Sequence, residues 1–167
     1  MYNDSLKKYV ENKFAGIVDL AGHNYIDHLT RVSDEAYRMA TLSISKSDLN
    51  IDLSVISEVG LLHDIIEDCV SENITEEQIL SELRYIGVSE TAITAILILT
   101  KRKDTSYDDY ISRIARSKNM YSIIVKKCDL KDNMDITRFD DFEFSDNNIR
   151  RLKKYAKAYK LLSSIDI

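Results

Sequence analysis

The chain has no proline and only four glycines in 167 residues. Proline removes a backbone donor and clashes with the preceding helical turn, while glycine supplies the positive φ angles that tight turns need. A chain almost free of both has few places where a helix must stop. Apolar residues recur at helical spacing through most of its length. Leu6, Tyr9, Val10 and Phe14 predict a first helix capped at Asp4 or Ser5. His28, Leu29, Val32, Ala36, Met39 and Ala40 predict a second, after a loop over Gly22 to Tyr25. The polar stretch 44–50 reads as a loop, and Leu53 to Cys69 as a third helix. Thr75 and Gln78 have capping-box spacing and open a helix that stops near Gly87. The run TAITAILILT after Ser89 is apolar enough for the central core helix, although a buried strand would carry the same pattern. Further helices are expected from Ser106 to Ser117, from Asn119 to Met134 and from Ser145 onward. The last would show Ile149, Leu152, Tyr155, Ala156, Tyr159 and Leu162 on one face. The expectation is a single all-α domain, a bundle of about seven or eight helices, with no hairpin signal between them.

Composition narrows the function classes. Hydrophobic residues make up 44% and charged residues 31%, an ordinary balance for a globular protein. A net charge of −5 gives no support to a nucleic-acid polymer or an anionic membrane as partner. Cys69 and Cys128 match no zinc-finger spacing and suggest a reduced compartment. Residues 1–20 carry charges throughout, without the apolar core of a signal peptide, and no later segment is apolar enough to span a bilayer. The expected location is cytoplasmic.

The sharpest feature is GLLHDIIEDCV, Gly60 to Val70, where His63, Asp64, Glu67 and Asp68 interrupt a run of Leu and Ile. Ionised groups in apolar surroundings are costly unless they pair, protonate or bind a metal. On a continuous helix, His63 would stack over Glu67 and Asp64 over Asp68, giving one polar stripe. Such a stripe is either an interior site, or a paired network or solvent-facing strip with no function of its own. In VKKCDLKDNMD, Val125 to Asp135, a second set appears: Lys126, Asp129 and Asn133 share a helical face. Asp129 could bond a backbone cap or a lysine, or supply a metal oxygen. His28 opens a helix, and a lone histidine is more often structural or exposed than a ligand. Taken together, His28, His63, Asp64 and Asp129 make a mixed nitrogen and oxygen set, suited to Mn, Fe, Mg or another six-coordinate ion. Glu67 and Asp68, one turn on, would then lie near an attacking water.

The ordered set Y-I-x-H (Tyr25 to His28), L-L-H-D-x-x-E-D (Leu61 to Asp68) and V-K-x-x-D-x-x-x-N-M (Val125 to Met134) resembles the HD-domain phosphohydrolase superfamily. More narrowly, it resembles the alarmone hydrolases: the hydrolase domain of RelA/SpoT-type enzymes and their small stand-alone relatives. The resemblance runs from Phe14 to Met134, with the last helix, 145–163, outside it. H-D alone is a weak signal; H-D-x-x-E-D combined with D-x-x-x-N is far more specific. The resemblance implies an all-helical fold and one metal ion, commonly Mn2+, on His28, His63, Asp64 and Asp129. It also implies that Glu67 and Asp68 act on the nucleophilic water and that Asn133 contacts the nucleotide sugar. The implied reaction removes pyrophosphate from the 3′ position of a guanosine tetra- or pentaphosphate, a small-molecule substrate.

Three departures bear on the substrate. The stretch VDLAGHNY places Asp19 where those hydrolases carry an arginine for the phosphates, and Leu20 where another basic residue is common. The segment between His28 and His63 is longer than in that branch, and Lys131–Asp132 replaces an apolar–His pair. Lys126 and Arg31 are then the cationic candidates for phosphate, each weighed against plain surface solubility. Two other readings stand beside the first: a nucleoside 5′-monophosphatase on the same fold, and a nucleotide-binding protein without turnover. Tyr107 and Tyr110 could stack on a base, although tyrosines at this spacing more often belong to a core.

Overall fold

A computed structural model of the chain describes residues 4–45 and 50–165. Its α-helices are α1 (Asp4–Lys13), α2 (Tyr25–Ile44), α3 (Leu53–Leu62), α4 (Ile65–Cys69) and α5 (Glu76–Tyr85), followed by α6 (Glu90–Leu99), α7 (Tyr107–Ser117), α8 (Met120–Met134) and α9 (Asp146–Ser163). A short 3-10 turn, Ile136–Arg138, links the last two. Among the described residues there is no strand, only an isolated antiparallel bridge between Val18 and Asn24. The expected all-α architecture is the one adopted, and the TAITAILILT run is helical rather than a strand. Of the loop expected over 44–50, positions 46–49 lie outside the described residues.

Local sequence sets most helix starts. Asn24, Asp52, Ser89, Ser106, Asn119 and Ser145 each accept an N–H bond from the first turn of the following helix. Thr75 and Gln78 close the expected capping box, with bonds of 2.8 and 3.2 Å. One boundary departs from expectation. The helix predicted over Leu53 to Cys69 is in two pieces, broken at His63–Asp64. The His63 ring Nδ1 bonds the Gly60 carbonyl at 2.8 Å, so a side chain takes up a carbonyl at the end of α3. The polar stripe therefore starts from a turn between two helices, not from mid-helix.

α3 lies at the centre, packed on α2, α6 and α8. Its approach to α2 requires Gly60, where an added Cβ would fall 2.5 Å from the Ser33 Cα. Beside it, the Ser33 hydroxyl donates to the Ser57 carbonyl at 2.9 Å. α6 buries Ala92, Ile93, Ala95, Ile96 and Leu99 in the same hydrophobic cluster as α2 and α3. α9 closes the bundle against α8 and α7 through Ala158 and Leu162. Ala156, expected on that face, is exposed; Ala158, three residues after Tyr155, takes its place.

Candidate metal centre

The helices bring together side chains that are far apart in sequence. His28 comes from the first turn of α2, His63 and Asp64 from the α3–α4 turn, and Asp129 from the middle of α8. His28, His63 and Asp64 form a group able to hold a metal ion, their donor atoms all within 4.8 Å of one another. His63 Nε2 lies 3.0 Å from Asp64 Oδ2 and 3.7 Å from Asp129 Oδ1. His28 Nε2 lies 3.8 Å from Asp64 Oδ2 and 3.5 Å from Asp129 Oδ1. Adjacent donors on one ion at about 2.1 Å are separated by roughly 3 Å, so these spacings suit a shared cation after small adjustment.

Proton placement supports the same fit. His63 Nδ1 faces the Gly60 carbonyl, and His28 Nδ1 faces Asp132 Oδ2 at 2.7 Å. Both partners only accept, so both Nδ1 atoms carry the hydrogen, and a neutral ring presents a lone pair at Nε2. His63 Nε2 is buried with no hydrogen-bond partner. Burial alone would lower the pKa of His63, but Asp64 and Asp129 outweigh it and raise the pKa well above the usual value. Carboxylates that so favour a proton on Nε2 favour any cation at that point. The Tyr25 hydroxyl donates to Asp64 Oδ2 at 2.6 Å, and the Tyr25 ring stacks on Phe14. Tyr25 thus orients a member of the group, a role its place in Y-I-x-H did not suggest.

Asp129 is the most heavily engaged carboxylate. Lys126 Nζ pairs with its Oδ2 at 2.7 Å, and Asn133 Nδ2 donates to its Oδ1 at 2.5 Å. Burial pushes its pKa up, yet the Lys126 ammonium and the two imidazoles hold it well below the ordinary carboxylate range. Of the groups expected to meet substrate, Lys126 and Asn133 both face the site while bonded to Asp129.

Above the group opens a cavity of about 380 Å³, lined by His28, Asp64, Glu67, Lys101, Lys126, Asp129 and Asn133, with Val18, Asp19, Leu20 and four tyrosines completing the wall. Glu67 accepts the Lys101 backbone N–H at 2.5 Å, which docks the α6–α7 loop on α4. Burial raises the Glu67 pKa against that bond. Burial, with Asp64 nearby, pushes Asp68 to about 6. Nothing in the sequence marks Lys101, one of three basic residues in TKRKD. Both Tyr107 and Tyr110 border the cavity, but Tyr110 is core, its hydroxyl bonded to the Leu99 carbonyl, whereas Tyr107 is partly exposed.

Arg31 does not reach this cavity. Its Nε pairs with Asp132 Oδ1 at 2.7 Å, and its Nη2 lies 3.4 Å from Asp19 Oδ2. Arg138 Nη1 pairs with the same Asp19 oxygen at 2.6 Å and lies 3.4 Å from Asp132 Oδ2. Asp19, Arg138, Asp132 and Arg31 form a neutral network whose inner end is His28. Asp19 lines the cavity, but its charge is already answered. Burial works against its ionisation, yet the N–H groups of His23 and Ala21 and the Arg138 guanidinium keep its pKa low. A larger cavity, about 620 Å³, lies beyond, lined by Arg31, Arg38, Lys131 and Cys128 among others, and each of those three cations is paired with a carboxylate. No family model matches the sequence, and no curated protein matches it.

Proposed function

We propose that the chain is a metal-dependent phosphohydrolase acting on a small nucleotide. The observation that carries this reading is the convergence of His28 Nε2, His63 Nε2 and the Asp64 and Asp129 carboxylates, with His28, Asp64 and Asp129 lining a cavity. His28, His63 and Asp64 would hold the ion, with Asp129 as the fourth ligand. A divalent ion bound there supplies a Lewis acid for a phosphoryl oxygen and lowers the pKa of water. Histidine and carboxylate donors without thiolate fit Mn2+, Fe2+ or Mg2+. Glu67 and Asp68, whose pKa values are raised by burial, are the candidates to take a proton from water, and of the two Glu67 lines the cavity. Lys126 keeps Asp129 ionised, and Asn133 holds its second face.

The sequence resemblance supports a guanosine 3′-pyrophosphate as substrate. The cation inventory supports a second reading, a nucleoside 5′-monophosphate. Among the described residues lining the cavity, Lys126 is paired with Asp129, and Lys101 is the one cation without a carboxylate partner. Arg31 and Arg138 do not line it and are held by Asp132 and Asp19. One phosphoryl group is better matched to that charge than two diphosphates.

The test is to incubate Mn2+-loaded protein with guanosine and adenosine nucleotides, 3′-pyrophosphorylated ones included, and identify products by chromatography. Released pyrophosphate supports the first substrate, and orthophosphate from monophosphates the second. Nucleotide bound without turnover would replace both with a binding protein. Glu67→Gln should keep Mn2+ affinity, measured by calorimetry, while the hydrolysis rate falls at least about 100-fold. A full rate in that variant would remove Glu67 from the water-activating role.

A further inference from the structure

The mouth of the cavity differs in chemistry from its floor. Val18 and Leu20, on either side of Asp19, are 59% and 53% exposed, and both line the cavity. Tyr107 and Tyr155 line it too, their ring centroids 6.1 Å apart. Single exposed apolar residues are common and need no explanation. Here the loop carrying them is closely braced. Asp19 Oδ1 accepts the N–H groups of Ala21 and His23 at 2.9 and 3.0 Å, while Oδ2 is held by Arg138. The Asp19 N–H bonds the His23 carbonyl at 2.7 Å, and the Tyr25 N–H bonds the Ile17 carbonyl at 2.9 Å. Val18 and Leu20 are thus displayed by a fixed turn at the entrance to a polar site.

A ligand suited to both ends carries an anionic group for the floor and a flat apolar body for the rim. A sugar phosphate would leave Val18 and Leu20 wetted, and a second phosphate packed against them would be desolvated. The Lys154 ammonium beside the rim is engaged over the Tyr107 and Tyr155 rings, 4.5 and 5.1 Å from their centroids. A nucleobase has an apolar face that stacks on aromatic rings and packs on branched side chains. The cavity volume lies in the range of small-molecule sites.

We propose that Val18 and Leu20, with the rings of Tyr107 and Tyr155, form a nucleobase subsite and determine specificity for nucleotides over sugar phosphates. This rests on reading the site as a nucleotide phosphohydrolase, and it names the residues that select the substrate. The test is rapid-mixing competition against N-methylanthraniloyl-GMP on the full Mn2+-loaded chain, read ahead of turnover, with GMP, AMP and ribose 5-phosphate as competitors. GMP and AMP should bind at least about tenfold tighter than ribose 5-phosphate, the scale that base stacking supplies. Val18→Ser and Leu20→Ser, both at exposed positions, should each narrow that gap about threefold with Mn2+ affinity unchanged. Equal affinities, a gap untouched by both variants, or no nucleotide binding would overturn the subsite. Phosphate release is followed in the same samples. A base-dependent gap without hydrolysis keeps the subsite and sinks the enzymatic reading; hydrolysis without the gap does the reverse.

Discussion

Asp132 and Glu35 each tie α2 to α8 through a cation. Asp132, on α8, takes Arg31 of α2 at 2.7 Å; Glu35, on α2, takes Lys131 of α8 at 2.6 Å and its own neighbour Arg38 at 2.7 Å. Both carboxyls have pKa values lowered to about 2. The causes differ. For Asp132 burial is the largest influence and opposes ionisation, so the bonds to His28 and Arg31 must overcome it. For Glu35 the Arg38 hydrogen bond leads and burial is secondary. Arg38 and Lys131 are more than half exposed, whereas of the Asp132 partners His28 and Arg138 have buried side chains and Arg31 is 38% exposed. Equal pKa depression therefore conceals unequal consequences. Removing a partner strands buried groups at Asp132 and returns solvated cations to water at Glu35.

Asp132→Asn should give the largest effect. An amide at this position loses the charge that fixes the His28 ring and answers Arg31 and Arg138. Mn2+ affinity should fall about 10- to 100-fold, the range for losing a carboxylate behind a metal-binding histidine. Stability should fall by roughly 3 kcal/mol, as for one lost partner of a buried ion pair. Calorimetric titration and urea unfolding of the metal-free protein measure the two. Unchanged Mn2+ affinity would leave Asp132 a structural ion pair like Glu35.

Asp19→Asn tests whether burial or contact with a ligand produces that difference. Asp19 is as buried as Asp132 but touches no member of the metal group, only Arg138, Arg31 and its own loop. Stability should drop by about 2 kcal/mol in the same urea experiment, with Mn2+ affinity held within about threefold. A metal-affinity loss as large as that of Asp132→Asn would mean that the whole network, and not the His28 contact, positions the site.

The same contrast explains what the sequence disclosed. Helices were legible because periodicity and caps such as Ser89 and Asn119 act within a few residues. His63 and Asp64 are legible from their place in an apolar run, and His28 joins them through the Y-I-x-H resemblance. The break at His63–Asp64 is not legible, since no glycine or proline marks it and it accompanies a ring bonding a carbonyl three residues back. In the sequence Asp132 and Asp19 stand only as departures from a pattern, whereas in the fold both carboxylates face Arg138. That pairing spans 119 residues between Asp19 and Arg138, and no local pattern encodes it. Arg31 looked free for phosphate because its acceptors lie 12 and 101 residues away.

Glu35→Gln should have the smallest effect, and acid unfolding shows why pH alone cannot separate the two sites. A carboxyl whose folded pKa is depressed contributes stability above its unfolded value and loses it as pH falls through the folded one. For Glu35 that window runs from 4.5 down to about 2, and for Asp132 from 3.8 down to about 2. The windows overlap, so wild-type protein should lose both contributions together below about pH 4. In Glu35→Gln the acid limb of stability should become slightly shallower. At neutral pH the loss should stay within about 1 kcal/mol, because the partners are solvated and screened, and Mn2+ affinity should not move. A loss near that of Asp132→Asn would show that the exposed cluster carries the α2–α8 contact, and that burial is not what sets the two carboxylates apart.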